Sequence, residues 1–170
     1  MCRLVAAIGV ALTAQSPNSF AARQAAEPTV LIIVRHAEKA SDETRDPSLS
    51  SEGVERSLRL STVLRDVGVA AVFVSDTRRA RETAMPLVSS LGIVAEEYRG
   101  REVAALLERI LKADAGRTVL VIGHSNTVPT MISMLTVGRE TVTLRDDEYD
   151  AMFIVTVGSG ASTTLLRLRY

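Results

Sequence analysis

Short runs of consecutive apolar residues alternate along the chain with longer stretches in which apolar residues recur every three or four positions. Continuous apolar runs rich in β-branched residues are typical of strands buried on both faces of a sheet. We predict six strands: Thr29–Val34, Ala71–Val74, Ile93–Ala95, Thr118–Ile122, Met152–Val157 and Thr163–Leu168. The last two are expected to form a hairpin around the glycine-containing turn at 158–160.

The intervening stretches predict four helices, over residues 51–66, Thr77–Leu91, Glu102–Ala113 and about Val128–Leu135. In the first helix, four apolar residues at roughly helical spacing are expected to face the core: Val54, Leu58, Val63 and Leu64. Pro86 predicts a bend or an interruption in the second helix. Strands that alternate with helices of this length imply an α/β fold, a three-layer sandwich with a largely parallel central sheet.

The first residues have the pattern of a secretory signal peptide. Arg3 gives a positive start, Leu4–Ala14 is an uncharged apolar run, and Ser19–Ala21 supplies the small residues that a signal peptidase reads. The apolar run is much shorter than the roughly 20 residues of a spanning helix, so no stable membrane span is expected. The alternative is a buried N-terminal helix. We expect a signal peptide, a linker and one domain, exported to the periplasm or secreted: residues 1–21, 22–28 and 29–170.

Composition narrows the chemistry that the chain can perform. The 20 Lys and Arg residues balance the 20 Asp and Glu residues, so no strong overall field would recruit nucleic acid. Cys2 is the single cysteine, which excludes a disulfide framework and a CxxC metal or redox site. With only two histidines, a zinc site would need carboxylates for most of its ligands, which is uncommon.

Both histidines come directly after the end of a predicted buried strand, the first and the fourth. In an open α/β sheet, ligands bind beyond the carboxyl ends of the strands. The second strand runs into a cluster of three arginines, which would reach the same edge. We therefore expect one functional edge to carry Arg35, His36, Arg78, Arg79, Arg81 and His124.

This combination of side chains points to phosphoryl chemistry. Arginines imply an anion, most simply a phosphoryl group held in bidentate fashion. One imidazole could attack phosphorus and carry the group covalently, while the other donates hydrogen bonds to the phosphoryl oxygens. Backbone N–H groups around Ser125 and Asn126, at the start of the last helix, could add to the phosphate site.

Four stretches resemble, in order, the motifs of the histidine phosphatase superfamily, which includes cofactor-dependent phosphoglycerate mutases and small bacterial phosphohistidine phosphatases. They are similar to its RHG/RHxE signature, its L-[ST]-x-x-G helix start, its S-x-L-x-R-A-x-x-T-A segment and its second-histidine motif: Val34–Glu38, Leu49–Gly53, Ser75–Ala84 and Gly123–Ser125. The resemblance runs from about residue 31 to about residue 153. It implies a phosphoglycerate mutase-like fold and no metal or organic cofactor.

The resemblance also implies residue roles. His36 would be the nucleophile, and Arg35, Arg79 and His124 would complete the phosphate pocket. Arg79 is chosen among the three arginines because the family's arginine directly precedes an alanine, here Ala80. The expected function is metal-independent hydrolysis of a phosphomonoester, a small ester, protein, lipid or glycan, through phosphohistidine. The alternatives are a non-catalytic phosphate-binding or interaction module on the same fold, and a phosphomutase.

The general acid is expected after the third strand, where many members carry E-x-x-x-G. Glu96 lies at that spacing from Gly100, and Glu97 adjoins it. Other possible proton donors lie in the loop after His36: Glu38, Asp42, Glu43 and Asp46. The acidic run Asp146–Glu148 is expected to be a solvated turn. The phytase-like branch places Asp where this chain has Ser125, which argues against that branch.

Overall fold

The computed structural model describes residues 27–42, 44–158 and 162–170. The predicted signal peptide, most of the predicted linker, Glu43 and the middle of the 158–160 turn lie outside these residues. Within them the chain forms six strands, β1 (Thr29–Arg35), β2 (Val69–Ser75), β3 (Ala95–Tyr98), β4 (Thr118–Gly123), β5 (Ala151–Val157) and β6 (Thr163–Arg169). The helices are α1 (Ser51–Leu64), α2 (Arg78–Leu91), α3 (Val103–Ala113) and α4 (Thr127–Leu135), with a short 3₁₀ turn at Gly100–Glu102.

All six strands form one sheet in the order β3-β2-β4-β1-β5-β6. The four strands from β3 to β1 are parallel to their neighbours. Strand β5 is antiparallel to β1, and β6 is antiparallel to β5. The prediction of a largely parallel sheet with a closing hairpin is therefore confirmed.

Helices cover both faces of the sheet, which confirms the three-layer sandwich. Along β1, Leu31 and Ile33 pack in the core under α3 and α4. The alternate residues Ile32 and Val34 pack in the core under α1 and α2. Because successive side chains of a strand point to opposite faces, a continuous apolar run is what a strand between two helical layers requires.

The predicted core face of α1 is wrong for three of its four residues. Val54, Leu58 and Val63 are each about half exposed, at 49%, 53% and 50%, whereas Leu64 is buried. The buried face of α1 instead consists of Gly53, Ser57, Leu60 and Leu64. Helix α1 lies so close to the loop after β1 that a Cβ on Gly53 would be 2.2 Å from the Glu38 carbonyl oxygen. This contact selects the face with the small residues.

Two further predictions need correction. The third strand comprises Ala95–Tyr98 rather than Ile93–Ala95. Its edge position leaves Glu96 and Glu97 exposed, so the apolar pattern marks only its beginning. Helix α2 continues through Pro86 to Leu91, so the helix is not interrupted there, and Gly92, whose φ is +65°, is its C-cap. In the part of the chain that the structure describes, no helix has the length and apolar character needed to cross a membrane.

Candidate active site

The two histidines meet because β1 and β4 are neighbours in the sheet and end at the same level. Arg35 pairs with Gly123 across the parallel ladder, and the next backbone N–H, that of His36, donates to the Gly123 carbonyl at 2.9 Å. The imidazole ring centroids of His36 and His124 are 5.1 Å apart. The structure thus brings both predicted histidines to one sheet edge.

Arg79 reaches both imidazoles from the first turn of α2. Its Nε donates to His36 Nε2 at 3.1 Å, and its Nη2 lies 3.5 Å from His124 Nδ1. Its Nη1 lies 3.5 Å from a carboxylate oxygen of Asp46, which also accepts from the Arg78 backbone N–H at 2.9 Å. Of the three arginines predicted at this edge, Arg79 is therefore the one that contacts both histidines. Its neighbours Arg78 and Arg81 pair with acidic side chains at the surface.

Hydrogen bonds define the tautomer of each ring. His36 Nδ1 lies 2.7 Å from the Ala37 carbonyl oxygen, which can only accept, so Nδ1 carries the proton. The lone pair of His36 is then on Nε2, where Arg79 donates. His124 Nδ1 faces a guanidinium, which can only donate, so the proton of His124 is on Nε2. One ring thus offers a nucleophilic nitrogen and the other a hydrogen-bond donor.

Both imidazoles are neutral at pH 7. Burial is the main reason that the pKa of His36 falls to about 3, and the nearby His124, Arg79 and Arg35 lower it further, against the opposing hydrogen bond to Ala37. Burial is also the main reason that the pKa of His124 falls to about 4, with Arg79 next in importance. A low dielectric and neighbouring cations both disfavour the imidazolium.

Arg35 is fixed by the loop that precedes β5. Its Nη1 donates to the carbonyl oxygens of Arg145, Asp146 and Glu148 at 3.0, 3.0 and 3.1 Å. Its guanidinium carbon lies 3.9 Å from the centroid of the Tyr149 ring. The buried Nε of Arg35 has no acceptor among the described residues. A buried donor of this kind is costly as long as no acceptor satisfies it.

These side chains line one polar cavity of about 470 Å³. Its described lining residues are Arg35, His36, Lys39, Arg79, His124, Ser125, Asn126 and Asp146. All five residues that were predicted to bind phosphate or to act as the nucleophile therefore line this cavity: Arg35, His36, Arg79, His124 and Asn126. The cavity has room for a phosphoryl group and for part of the group attached to it.

Neighbouring contacts explain the other motif residues. The Ala37 backbone N–H donates to Thr83 Oγ1 at 2.9 Å, and Thr83 donates to the Arg79 carbonyl at 2.7 Å. These bonds tie the residue after His36 to α2. At Gly123, a Cβ would lie 2.6 Å from Thr127 Oγ1, the atom that accepts from the His124 backbone N–H. Any larger residue there would displace the support of His124.

Glu96 and Glu97 are not among the residues that line the cavity. Both are exposed on the edge strand β3, with β2 and β4 between them and β1. Glu96 forms an ion pair with Arg109 at 3.2 Å, and Glu97 forms one with Arg81 at 3.2 Å. The structure places neither predicted acid in the cavity wall, because β3 is the edge strand and two strands separate it from β1.

The alternative donors in the loop after His36 are also engaged elsewhere. Both carboxylate oxygens of Glu38 accept from Arg56 Nε, at 2.8 and 2.9 Å. Asp42 accepts from the Thr44 hydroxyl at 2.6 Å. Asp46 holds the first turn of α2, and Glu43 lies outside the described residues. Of the carboxylates in the described part of the chain, Asp146 is the one in the cavity wall.

Sequence reasoning missed Lys39, Asp146 and Tyr149 as members of the site. The expectation that Asp146 belongs to a solvated turn is incomplete, since Asp146 is exposed and also lines the cavity. The missing information was the pairing of β5 with β1. Because the pair is antiparallel, with Val34 opposite Met152, the loop before β5 arrives beside the end of β1. Lys39 could have been recognised from the sequence, because it lies only three residues after His36.

No group of three or more His, Cys, Asp or Glu that could hold a metal ion is found within the described ranges. The positive charges that face the cavity belong to the protein itself, on Arg35, Lys39 and Arg79. The guanidinium groups of the two arginines are suited to a planar or tetrahedral oxyanion.

Comparison with known proteins agrees with this geometry. Residues 31–102 match the family model of the histidine phosphatase superfamily, branch 1. Similar solved structures include the protein histidine phosphatase SixA complexed with tungstate, with a TM-score of 0.69 and 23% identity over 82% of this chain and 96% of that one. Over residues 31–102 the chain is therefore similar to the histidine phosphatase superfamily, the family whose motifs its sequence resembles.

Two other solved structures show the range of proteins with this fold. Phosphoglycerate mutase from Bacillus anthracis str. Sterne has a TM-score of 0.68 and 17% identity, covering 84% of this chain and 93% of that one. A mycobacterial glucosyl-3-phosphoglycerate phosphatase has a TM-score of 0.65 and 14% identity, covering 85% and 99%. The comparison with curated proteins gave no match. At these identities the structural likeness shows the phosphoglycerate mutase-like fold.

Proposed function

We propose that the protein is a metal-independent phosphomonoesterase that works through a phosphohistidine on His36. The proposal rests on one observation. The unprotonated Nε2 of a buried, neutral imidazole is adjacent to a cavity that also receives donors from Arg35, Arg79 and His124. Neutral His36 can attack phosphorus at pH 7, which an imidazolium could not do.

Substrate binding would replace contacts that exist within the free site. The phosphoryl oxygens accept from the unpartnered Arg35 Nε and from Arg79, which turns from His36 Nε2 to the anion. His124 Nε2–H supplies a further donor. These fixed charges and dipoles stabilise the negative charge spread over the equatorial oxygens in the transition state.

The reaction then proceeds in two displacements. His36 Nε2 forms a bond to phosphorus while the bond from phosphorus to the leaving oxygen breaks. The leaving oxygen takes a proton from a carboxyl group, for which Asp146 is placed in the cavity wall, or from water. The phosphoimidazolium keeps Nδ1–H bonded to the Ala37 carbonyl. Water then attacks phosphorus, the phosphorus–nitrogen bond breaks, and neutral His36 and inorganic phosphate result.

The substrate is proposed only as a class, a phosphate ester or a phosphoprotein. The similar structures described above include a protein histidine phosphatase, a glucosyl-3-phosphoglycerate phosphatase and a phosphoglycerate mutase. An open cavity of about 470 Å³ accepts a phosphoryl group from either a small or a large leaving group.

The first test compares the wild type with His36→Ala on p-nitrophenyl phosphate in EDTA. We expect metal-independent turnover by the wild type and a loss of at least about 10³-fold in the variant, since the nucleophile is removed. A matched control is Lys112→Gln, an exposed change on α3. Thermal unfolding checks that each variant folds. Quenching with an alkaline denaturant and labelled substrate should trap phosphate on the wild type alone, because the phosphorus–nitrogen bond of phosphohistidine is stable in base and hydrolyses in acid.

Each other result has a definite meaning. Near-wild-type activity in His36→Ala would refute the nucleophile. Activity lost in EDTA and restored by a metal ion would refute metal independence. Phosphate binding without turnover by the wild type would favour the non-catalytic module, and transfer of the phosphoryl group to an added alcohol in preference to water would favour a mutase.

A further inference from the structure

Tyr98 is a buried tyrosine at the end of β3 whose hydroxyl reaches the end of β4. The side chain packs in the core under α3 and α4. Its Oη donates at 3.2 Å to the carbonyl oxygen of Ile122, which lies two residues before His124. A phenylalanine would fill the same space, so the hydroxyl is the feature that needs an explanation.

A second hydroxyl, that of Thr127, links Tyr98 to the backbone of His124. Thr127 begins α4, and its Oγ1 accepts from the His124 backbone N–H at 2.8 Å. Both hydroxyl oxygens lie against the same glycine, since a Cβ on Gly123 would be 2.6 Å from Thr127 Oγ1 and 3.1 Å from Tyr98 Oη. The two hydroxyls and the backbone of residues 122–124 therefore form one compact group.

The direction of each hydrogen bond in this group follows from its donors and acceptors. Burial raises the pKa of Tyr98, so the phenol is protonated at pH 7, while a hydrogen bond with Thr127 lowers that pKa. A hydrogen bond that lowers the pKa of a phenol is one donated to its oxygen. The Thr127 hydroxyl therefore donates to Tyr98 Oη. A chain of hydrogen bonds thus runs from the His124 N–H through both hydroxyls and returns to β4 at the Ile122 carbonyl.

This chain holds the residue that offers a hydrogen-bond donor to the phosphate site. The His124 carbonyl accepts from the Val128 backbone N–H at 3.0 Å, so both backbone polar groups of His124 are held by the start of α4. From this backbone the imidazole reaches Arg79, with Nδ1 3.5 Å from Nη2. A turn of the His124 backbone would move the ring, and hydrogen bonds weaken steeply as they lose alignment.

We propose that Tyr98 is a positioning residue that, through Thr127, fixes the direction in which His124 donates to the phosphoryl group; this inference rests on the function proposed above. Tyr98 is not among the described residues that line the cavity, so its effect on the reaction has to pass through His124. A buried chain of hydrogen bonds holds one geometry only while each member is satisfied. Loss of either hydroxyl should therefore loosen the histidine.

The test is a double-mutant cycle on p-nitrophenyl phosphate that combines Tyr98→Phe with His124→Ala. Tyr98→Phe keeps the ring and removes the hydroxyl, and kcat/KM should fall about tenfold, because a small misplacement of a group that acts on the substrate is costly. In the His124→Ala background, the same change should alter kcat/KM by less than about twofold. Tyr170→Phe is the matched control and should keep wild-type activity, since the buried Tyr170 hydroxyl has no partner among the described residues.

Two changes at Thr127 test the same link by another route. Thr127→Ser keeps the hydroxyl and should retain most of the wild-type kcat/KM, whereas Thr127→Val should lower it about as much as Tyr98→Phe. Thr127→Val and Tyr98→Phe together should cost no more than either alone, because both break one chain. Thermal unfolding checks that every variant folds.

The outcomes separate this inference from the proposed function. Wild-type activity in Tyr98→Phe, or an equal loss from Tyr98→Phe with and without the His124 imidazole, would overturn it. If the wild type does not hydrolyse p-nitrophenyl phosphate, the phosphatase proposal fails, and the Kd of inorganic phosphate in the same cycle decides the role of Tyr98. Tyr98→Phe should then weaken phosphate binding only where His124 is present. Absence of phosphate binding by the wild type would overturn both proposals.

Discussion

His36 is governed by what surrounds its two ring nitrogens. One nitrogen is tied to a backbone carbonyl and the other faces a guanidinium, so the ring has one tautomer and one direction of attack. Burial keeps the ring neutral, although the hydrogen bond to the Ala37 carbonyl raises its pKa. The neighbouring Arg79 and Arg35 lower the pKa, as burial does. A residue whose charged form is disfavoured in the folded state makes stability depend on pH.

Folding stability should therefore decrease as the solution becomes more acidic. The pKa of His36 is about 3 in the folded protein against 6.5 as its ordinary value, so the unfolded chain binds the extra proton first. The contribution is fully present above pH 6.5 and is lost progressively as pH falls toward 3. Between pH 7 and pH 5 the wild type should lose about 1–2 kcal/mol more than His36→Gln. Urea unfolding at both pH values measures this, and equal losses in the two proteins would contradict the assigned burial effect.

At this scale the sequence was informative about some site residues and silent about others. His36, His124, Arg35 and Arg79 could be predicted because each lies at the end of a strand or beside one, where ligands bind in such sheets. Asp146 could not, because its place depends on which strand lies next to β1, and strand order is not encoded in local pattern. Local pattern likewise does not encode that β3 is the edge strand, a position that leaves Glu96 and Glu97 outside the cavity wall.

At the scale of elements, helix α1 shows how a close contact overrides hydrophobic pattern. Ser50 caps the helix by accepting from the Gly53 backbone N–H at 3.1 Å. Gly53 then lies against the Glu38 carbonyl, and the helix turns a face of glycine, serine and leucine inward. The pattern could predict that the segment is helical, since spacing and cap agree. It could not predict which face is buried, because the exposed residues Val54, Leu58 and Val63 also recur at roughly helical spacing.

Gly53→Ala should destabilise the fold. The new Cβ would sit 2.2 Å from the Glu38 carbonyl oxygen, so backbone must move. Overpacking costs about 1–3 kcal/mol, and the better helix propensity of Ala returns about 1 kcal/mol. A net loss of up to about 2 kcal/mol in the free energy of unfolding is expected. Gly100→Ala is the matched control, since no heavy atom lies within 4 Å of its added Cβ. Equal stability of the two variants would mean that α1 is not held by this contact.

At the scale of the whole molecule, one sheet edge collects residues that are far apart in sequence. Parallel strands β1 and β4 supply the histidines, α2 supplies Arg79, and the loop before antiparallel β5 supplies the wall beside Arg35. The alternation of strands and helices could predict the layers and the functional edge. The register of the edge strand and the position of the hairpin follow from tertiary pairing and could not be predicted.

We propose that residues 1–21 are removed when the protein is exported. The positive start, the short apolar run and the small residues before Ala22 are the features that support it. In the source cell, the protein outside the cytoplasm should begin at Ala22, as measured by intact mass and N-terminal sequencing. Val10→Arg, which places a charge in the apolar run, should leave the full-length chain in the cytoplasm. A full-length wild-type product in the cytoplasm would contradict export.

The hydrogen bonds that fix Arg35 have a consequence for the synthesis of the protein. The three carbonyls that bind its guanidinium come 110, 111 and 113 residues later in the chain. A polypeptide leaves the ribosome from its N-terminus, so Arg35 and His36 emerge long before the groups that orient them. An unfinished chain therefore carries the proposed nucleophile without the groups that orient it until residues 145–148 have been synthesised.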